Sequence, residues 1–196
     1  MIMNQPTAQN SAKAIDSSPM TTEQATRSTT GGGDIGLLLL RLGVGAALLQ
    51  AGLIKALDLT TTSQFMADAG WRLPKVAAFM VTAAETLGGI GLILGALTPL
   101  AACAAVGSML CAWAVNVSGT AFWSEPFNIP FLIGVGAVAL LFTGAGGYSV
   151  DRLAFNRTHW PKRVAVGLLV LAFAAAVLTW VALYGVNPIH LTTPTP

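Results

Sequence analysis

Charged side chains are scarce in this sequence: Asp, Glu, Lys and Arg together make up 9% of its 196 residues. Soluble domains usually carry roughly a quarter charged residues. Hydrophobic residues account for 54% of the chain, so a globule of this size would have too few charges to keep its surface in water. The composition therefore excludes an ordinary soluble enzyme domain and predicts an integral membrane protein whose surface contacts a lipid bilayer.

Other groups that carry chemistry are equally rare. The net charge is +2 and the cations are scattered, so no basic patch indicates a nucleic-acid partner. The two cysteines, Cys103 and Cys111, would lie about 12 Å apart on one helix, beyond the reach of a disulfide. The two histidines, His159 and His190, stand alone. We therefore expect no metal site and no covalently bound cofactor.

Long apolar runs are what the sequence does contain. A membrane helix needs about 20 apolar residues, and lipid offers no hydrogen-bond partner to a backbone outside a helix or a closed barrel. The runs are continuous rather than alternating, which favours helices over barrel strands. Proline and glycine breakers divide them into five predicted transmembrane helices, at residues 35–57, 76–97, 100–117, 127–145 and 164–184.

The segments around these helices complete the predicted organisation. Residues 1–33 are polar and are expected to be a disordered tail. Residues 34–153 hold the first four helices, residues 154–186 a basic loop and the fifth helix, and residues 187–196 a short C-terminal tail. The loop between the fourth and fifth helices is rich in Lys and Arg, which predicts a cytoplasmic N-terminus in a multi-pass protein.

Three ionisable residues fall within the predicted helices: Arg41, Lys55 and Glu85. A charge at the bilayer centre costs at least about 2.5 kcal/mol, so each needs a reason to be there. Glu85 shares its helical face with Gly88 and Gly89, which indicates that it faces the interior of the bundle. We expect Arg41 to be its partner, with Asp34 as a competitor, and Lys55 to extend to the outer interface.

Two interpretations of these charges remain open. They are either a proton relay or an anchor for a polar ligand such as a quinone head group, or they are a structural ion pair that sets the register of the first two helices. A second set of polar residues is predicted at the outer end of the bundle, where it could line a shallow pocket or simply form a wet interface. This outer polar cluster consists of Gln50, Asn116, Glu125 and Asn128.

Several short motifs occur in a characteristic order. The first helix contains Arg41-Leu-Gly and Gln50-Ala-Gly-Leu-Ile-Lys55, the second contains Ala84-Glu85-Thr-Leu-Gly-Gly, and the fourth is followed by Gly147-Tyr-Ser-Val-Asp151. This order resembles the DoxX family of bacterial integral membrane proteins, over roughly residues 35–153. Gln50 stands where that family often has His, which weakens a proton-transfer role at this position.

The resemblance implies a four-helix bundle in the bacterial inner membrane, to which the fifth helix is an addition. It also implies a non-catalytic subunit or partner of a membrane-associated redox or oxidative-stress complex, with protein partners in the membrane and a non-covalent quinone as the candidate cofactor. A catalytic chain would have to be a subunit of a quinone-linked oxidoreductase. The alternative is a small solute or proton-coupled transporter that uses Glu85 and Arg41. Small-residue pairs such as Gly91 and Gly95 also leave a homo-oligomer open.

Overall fold

The computed structural model describes residues 22–117 and 121–184, and every regular element in these ranges is helical. The all-α prediction is therefore confirmed for the described part of the chain. The predicted C-terminal tail at 187–196 and residues 1–21 lie outside it. The helices are α1 (Thr22–Leu57), α2 (Leu59–Asp68), α3 (Pro74–Leu94), α4 (Thr98–Asn116), α5 (Ala121–Ser124), α6 (Ile129–Thr143), α7 (Val150–Phe155) and α8 (Lys162–Thr179), which continues as a π-helix (Trp180–Tyr184).

Four helices are long and apolar enough to cross a membrane: Gly31–Leu57, Pro74–Leu94, Thr98–Asn116 and Lys162–Leu183. The chain is thus a multi-pass membrane protein. The helix at Ile129–Thr143 has 15 residues and is about 22 Å long, which is short for a hydrocarbon core of about 30 Å. The crossing predicted at residues 127–145 is therefore not confirmed.

The helix boundaries follow from local chemistry. A proline occupies the first turn of α3, α4 and α6, where its missing N–H costs nothing. Gly95 ends α3 in the left-handed region at φ 63°, a conformation that glycine adopts without steric penalty. The predicted break at Thr98-Pro99 is confirmed, since α4 begins at Thr98. α1 begins at Thr22, whereas the predicted tail extends to residue 33. Adding a turn to an existing helix is far easier than starting a new one, which accounts for the longer helix.

The bundle is arranged around α4, which packs against α3, α6 and α8. Half of the residues in its most apolar window are buried, against 17% for α8, which lies at the periphery. Small side chains let these helices approach closely. The fully buried residues of the main core cluster are Leu48, Leu92, Ala102, Ala105, Ala137 and Leu140.

Candidate functional site

Glu85 and Lys55 form an ion pair inside the bundle. Glu85 lies near the middle of α3 and is 2% exposed, which confirms that it faces inward. The Nζ of Lys55 donates to Glu85 Oε2 at 2.6 Å and to the Ala51 carbonyl at 3.2 Å. The prediction that Lys55 extends to the outer interface is wrong, because its ammonium is directed along α1 toward a buried carboxylate.

Glycines on α1 and α3 determine which residues of the two helices stand side by side. A Cβ at Gly89 would lie 2.6 Å from the backbone N of Leu49, and one at Gly52 would lie 2.6 Å from the backbone N of Thr86. Both positions exclude any side chain unless the helices separate. Because α1 runs antiparallel to α3, this close contact places the last turn of α1 beside the middle of α3, where Lys55 meets Glu85.

Arg41 does not pair with Glu85, and the expectation that it does is wrong. Its side chain is 1% exposed and donates to the backbone carbonyls of Ala145, at 2.7 Å, and Tyr148. The same register explains the error, since Arg41 lies beside Gly95. Ten residues of helix, or about 15 Å, separate that level from Glu85.

The negative charge of Asp151 attracts the guanidinium of Arg41. Its carboxylate is fully buried and accepts from the backbone N–H groups of Leu97, at 2.7 Å, and Thr98, at 2.9 Å. It therefore caps the N-terminus of α4, where a negative charge is favourable. Leu97 adopts the left-handed region at φ 46°, and the hydrogen bond to its N–H holds it there.

Two further residues complete what we name the end cluster: Asp34, Arg41, Ser149 and Asp151. Asp34, the predicted competitor for Arg41, instead accepts from the backbone N–H of Gly147 at 2.8 Å. The hydroxyl of Ser149 accepts from the N–H of Arg152 and donates to the carbonyl of Gly146. The Gly-Tyr-Ser-Val-Asp motif thus supplies an anchor point for α1 and a cap for α4, a role that its sequence alone did not reveal.

A cavity of about 690 Å³ lies beside the ion pair, between α1, α2, α3, α4 and α8. Lys55 and Glu85 are the only charged residues in its described lining. The rest of the wall is mostly apolar, with small residues from α4 and α8 and larger side chains from α2 and α3. Trp71, three residues before the start of α3, also lines the cavity and is 7% exposed.

The predicted outer polar cluster is only partly associated with this cavity. Asn116, at the end of α4, contributes to the lining, whereas Gln50 and Glu125 are exposed side chains outside it. Asn128 caps α6 by accepting from the N–H of Phe131 at 3.2 Å. A shallow outer pocket formed by the four residues stays a prediction.

Both cysteines are free thiols that line the cavity from α4. Cys103 donates to the backbone carbonyl of Leu168 on α8 at 3.2 Å. Within the described residues, no group of three or more His, Cys, Asp or Glu side chains is placed to hold a metal ion. The polar chemistry of the cavity is therefore concentrated in the Lys55–Glu85 pair.

A family model named DoxX matches residues 36–118. The chain carries a DoxX domain. This confirms the resemblance, although the DoxX match ends before the Gly-Tyr-Ser-Val-Asp motif that was counted with it. No curated protein and no solved structure matches the chain. The matched segment contains Arg41, Lys55 and Glu85, so both the ion pair and the arginine of the end cluster lie in the DoxX domain.

Proposed function

We propose that this DoxX-domain protein binds a quinone-class molecule in its cavity and acts as a non-catalytic partner of a membrane-associated redox complex. The observation that carries the proposal is the cavity of about 690 Å³ with one ion pair in a mainly apolar wall. Ligand sites are commonly apolar clefts of about 300–1,000 Å³ with a few oriented polar groups. That combination suits a molecule with a polar head and an apolar tail.

The donor set of the cavity fits a quinone head group. A lysine ammonium has three N–H donors, and two of those of Lys55 go to Glu85 and Ala51. The third is available to a ligand carbonyl, while Phe65 and Trp71 in the lining offer aromatic surface to a flat ring. A bound quinone would supply two-electron redox chemistry. Lys55 would orient it, and Glu85 would hold the ammonium in place.

Binding can be measured with the purified chain in mild detergent and a short-chain ubiquinone analogue, by following quenching of tryptophan fluorescence. Removal of the donor in Lys55→Met should weaken binding at least tenfold. Lys75→Met is the matched control, because Lys75 is exposed on α3 and does not line the cavity. Equal affinity for an isoprenoid tail without a head group, or unchanged affinity in Lys55→Met, would refute the quinone site.

The redox partner is supported by the family resemblance rather than by the cavity. Solubilisation in a mild detergent followed by affinity purification should retrieve a membrane oxidoreductase in stoichiometric amount. A monodisperse chain that repeatedly purifies with no oxidoreductase would contradict this part of the proposal. The result would not affect the quinone-binding measurement.

We place the protein in a bacterial inner membrane with its N-terminus in the cytoplasm. The support is the distribution of charge, since the segment between α6 and α8 and the first turn of α8 together carry four exposed Lys and Arg residues. Short cytoplasmic segments are enriched in such residues. Thiol labelling of a single cysteine introduced at Leu153, which is 86% exposed, would test the orientation in intact cells. Labelling from outside the cell would contradict it.

A proton-coupled transporter is the second candidate, and the buried carboxylate at the cavity wall favours it. Arg41 belongs to the end cluster and does not line the cavity, so the candidate now depends on Glu85 and Lys55. In proteoliposomes with an internal pH dye, a transported solute should acidify or alkalinise the lumen. Glu85→Gln should abolish that change.

A further inference from the structure

The segment that joins α6 to α8, taken together with the first turn of α8, carries an unbalanced positive charge. Four of its side chains are exposed cations: Arg152, Arg157, Lys162 and Arg163. The one acidic residue between Ala145 and Arg163 is Asp151, which is fully buried and occupied with capping α4. The outward-facing charge of this segment is therefore entirely positive.

Large apolar side chains are exposed beside these cations. Leu153 is 86% exposed, Tyr148 is 60% exposed and Phe155 is 50% exposed. The ring of Phe155 contacts that of Trp160 edge to face, and the guanidinium of Arg157 lies 5.5 Å from the centre of the Trp160 ring. The segment thus presents apolar and cationic groups together, as a surface does at the boundary between acyl chains and head groups.

The fold holds this segment at one end of the bundle, beside the end of α6 and the start of α8. α6 ends at Thr143 and α8 begins at Lys162. The N–H of Ala145 donates to the Thr158 carbonyl at 3.1 Å, which ties the later part of the segment to the end of α6. The backbone that carries its cations therefore stays close to this end of the bundle.

We propose that residues 148–163 form a binding surface for the head groups of anionic phospholipids. The cations match the phosphate charge, and the exposed Leu153 and Phe155 side chains would enter the adjoining acyl region. A soluble acidic partner would account for the cations but would leave these apolar side chains unexplained. Each Lys or Arg near an anionic membrane surface contributes about 1 kcal/mol, or about fivefold in affinity. This surface is independent of the proposed quinone site.

The test uses the full chain purified from mixed micelles that contain phosphatidylglycerol and phosphatidylcholine, with the retained lipids quantified by mass spectrometry. The wild type should be enriched in phosphatidylglycerol. Arg157→Gln with Arg163→Gln should lower the enrichment by more than tenfold. The matched control is Arg72→Gln with Lys75→Gln, which removes two exposed cations at the opposite end of the bundle and should change the enrichment less than twofold.

Two further variants and an inorganic phosphate control test whether charge and lipid, rather than a loss of folding, account for the result. Arg157→Lys with Arg163→Lys keeps both charges and should retain the enrichment. Lys162→Gln changes one exposed residue in the first turn of α8 and should lower the enrichment about fivefold, even if the double variant does not fold. Inorganic phosphate should not raise the melting temperature as phosphatidylglycerol does. Equal losses in the two double variants, no loss in Lys162→Gln, or equal stabilisation by inorganic phosphate would each overturn the proposal.

Discussion

Two groups of buried charge lie at different levels of the same bundle, and they are satisfied in different ways. In the end cluster, Arg41 and Asp151 form hydrogen bonds with backbone groups of the segments that they join. Beside the cavity, Lys55 and Glu85 bind mainly each other, and the lysine side chain keeps 28% exposure. The first arrangement closes the end of the bundle, whereas the second leaves a donor available to a ligand.

The comparison teaches that an ionisable residue inside a membrane helix does not by itself mark a functional site. Such residues are functional candidates by default, and Arg41 is the more deeply buried of the two cations. Its contacts are nevertheless those of a structural residue. The cavity beside Lys55 and Glu85, and not the cost of burying them, is what makes that pair the candidate site.

The largest effect is expected in the end cluster. Arg41→Ala would leave the carbonyls of Ala145 and Tyr148 without this donor and Asp151 without a nearby cation. We expect the free energy of unfolding to fall by about 3–5 kcal/mol, measured by thermal or denaturant unfolding in detergent. Quinone affinity per folded molecule should not change. A selective loss of quinone affinity in a stable Arg41→Ala protein would remove the distinction between the two groups.

The ion pair should show a smaller and reversible effect. Lys55→Met leaves Glu85 buried without its cation and should cost about 2–4 kcal/mol of stability, while Lys55→Met with Glu85→Leu should recover much of the loss. A double-mutant cycle measures this coupling directly. The matched cycle between Arg41 and Glu85 should give a coupling near zero, because those residues lie about 15 Å apart along the bundle. A large value there would reinstate the pairing that the structure contradicts.

The glycine contact between α1 and α3 allows a test of whether helix register controls the Lys55–Glu85 pair. In Gly89→Ala the new Cβ would lie 2.6 Å from the Leu49 backbone, so the helices must separate at a cost of about 1–3 kcal/mol. The separation should also weaken the coupling between Lys55 and Glu85. Gly43→Ala is the control, since a Cβ there meets nothing within 4 Å. Equal melting temperatures for the two variants would show that the contact does not set the register.

The smallest effect is a pH dependence of stability that arises from Asp58, a residue in neither group of buried charges. Asp58 caps α2, and its hydrogen bonds from Thr61 lower the pKa of its carboxyl below the usual range. This contribution to stability is present above the unfolded-state pKa of about 4 and is lost as pH falls through the lower folded-state value. Melting temperatures between pH 6 and pH 3 should therefore fall slightly more for the wild type than for Asp58→Asn. Identical profiles would show that the cap contributes nothing.

Part of the candidate site was predictable from periodicity. Glu85 shares a helical face with small residues, which identified it as inward-facing before any partner was known. The partner was misassigned because the sequence does not show which residues of α1 and α3 lie at the same level. The end of α1 lies beside the middle of α3, as the contacts of Gly52 and Gly89 require. No local pattern reports this offset, since it depends on two surfaces that meet only in the folded bundle.

The apolar run lengths and the breakers between them are enough to specify a helical membrane protein, because a backbone in lipid must satisfy its own hydrogen bonds. They also specify most helix boundaries, since proline and glycine act within a few residues of their own position. Contacts between residues distant in the chain determine the other features, which are the pairing of Lys55 with Glu85, the capping of α4 by Asp151 and the cavity. Only the packing of one helix against another brings these groups within hydrogen-bond distance.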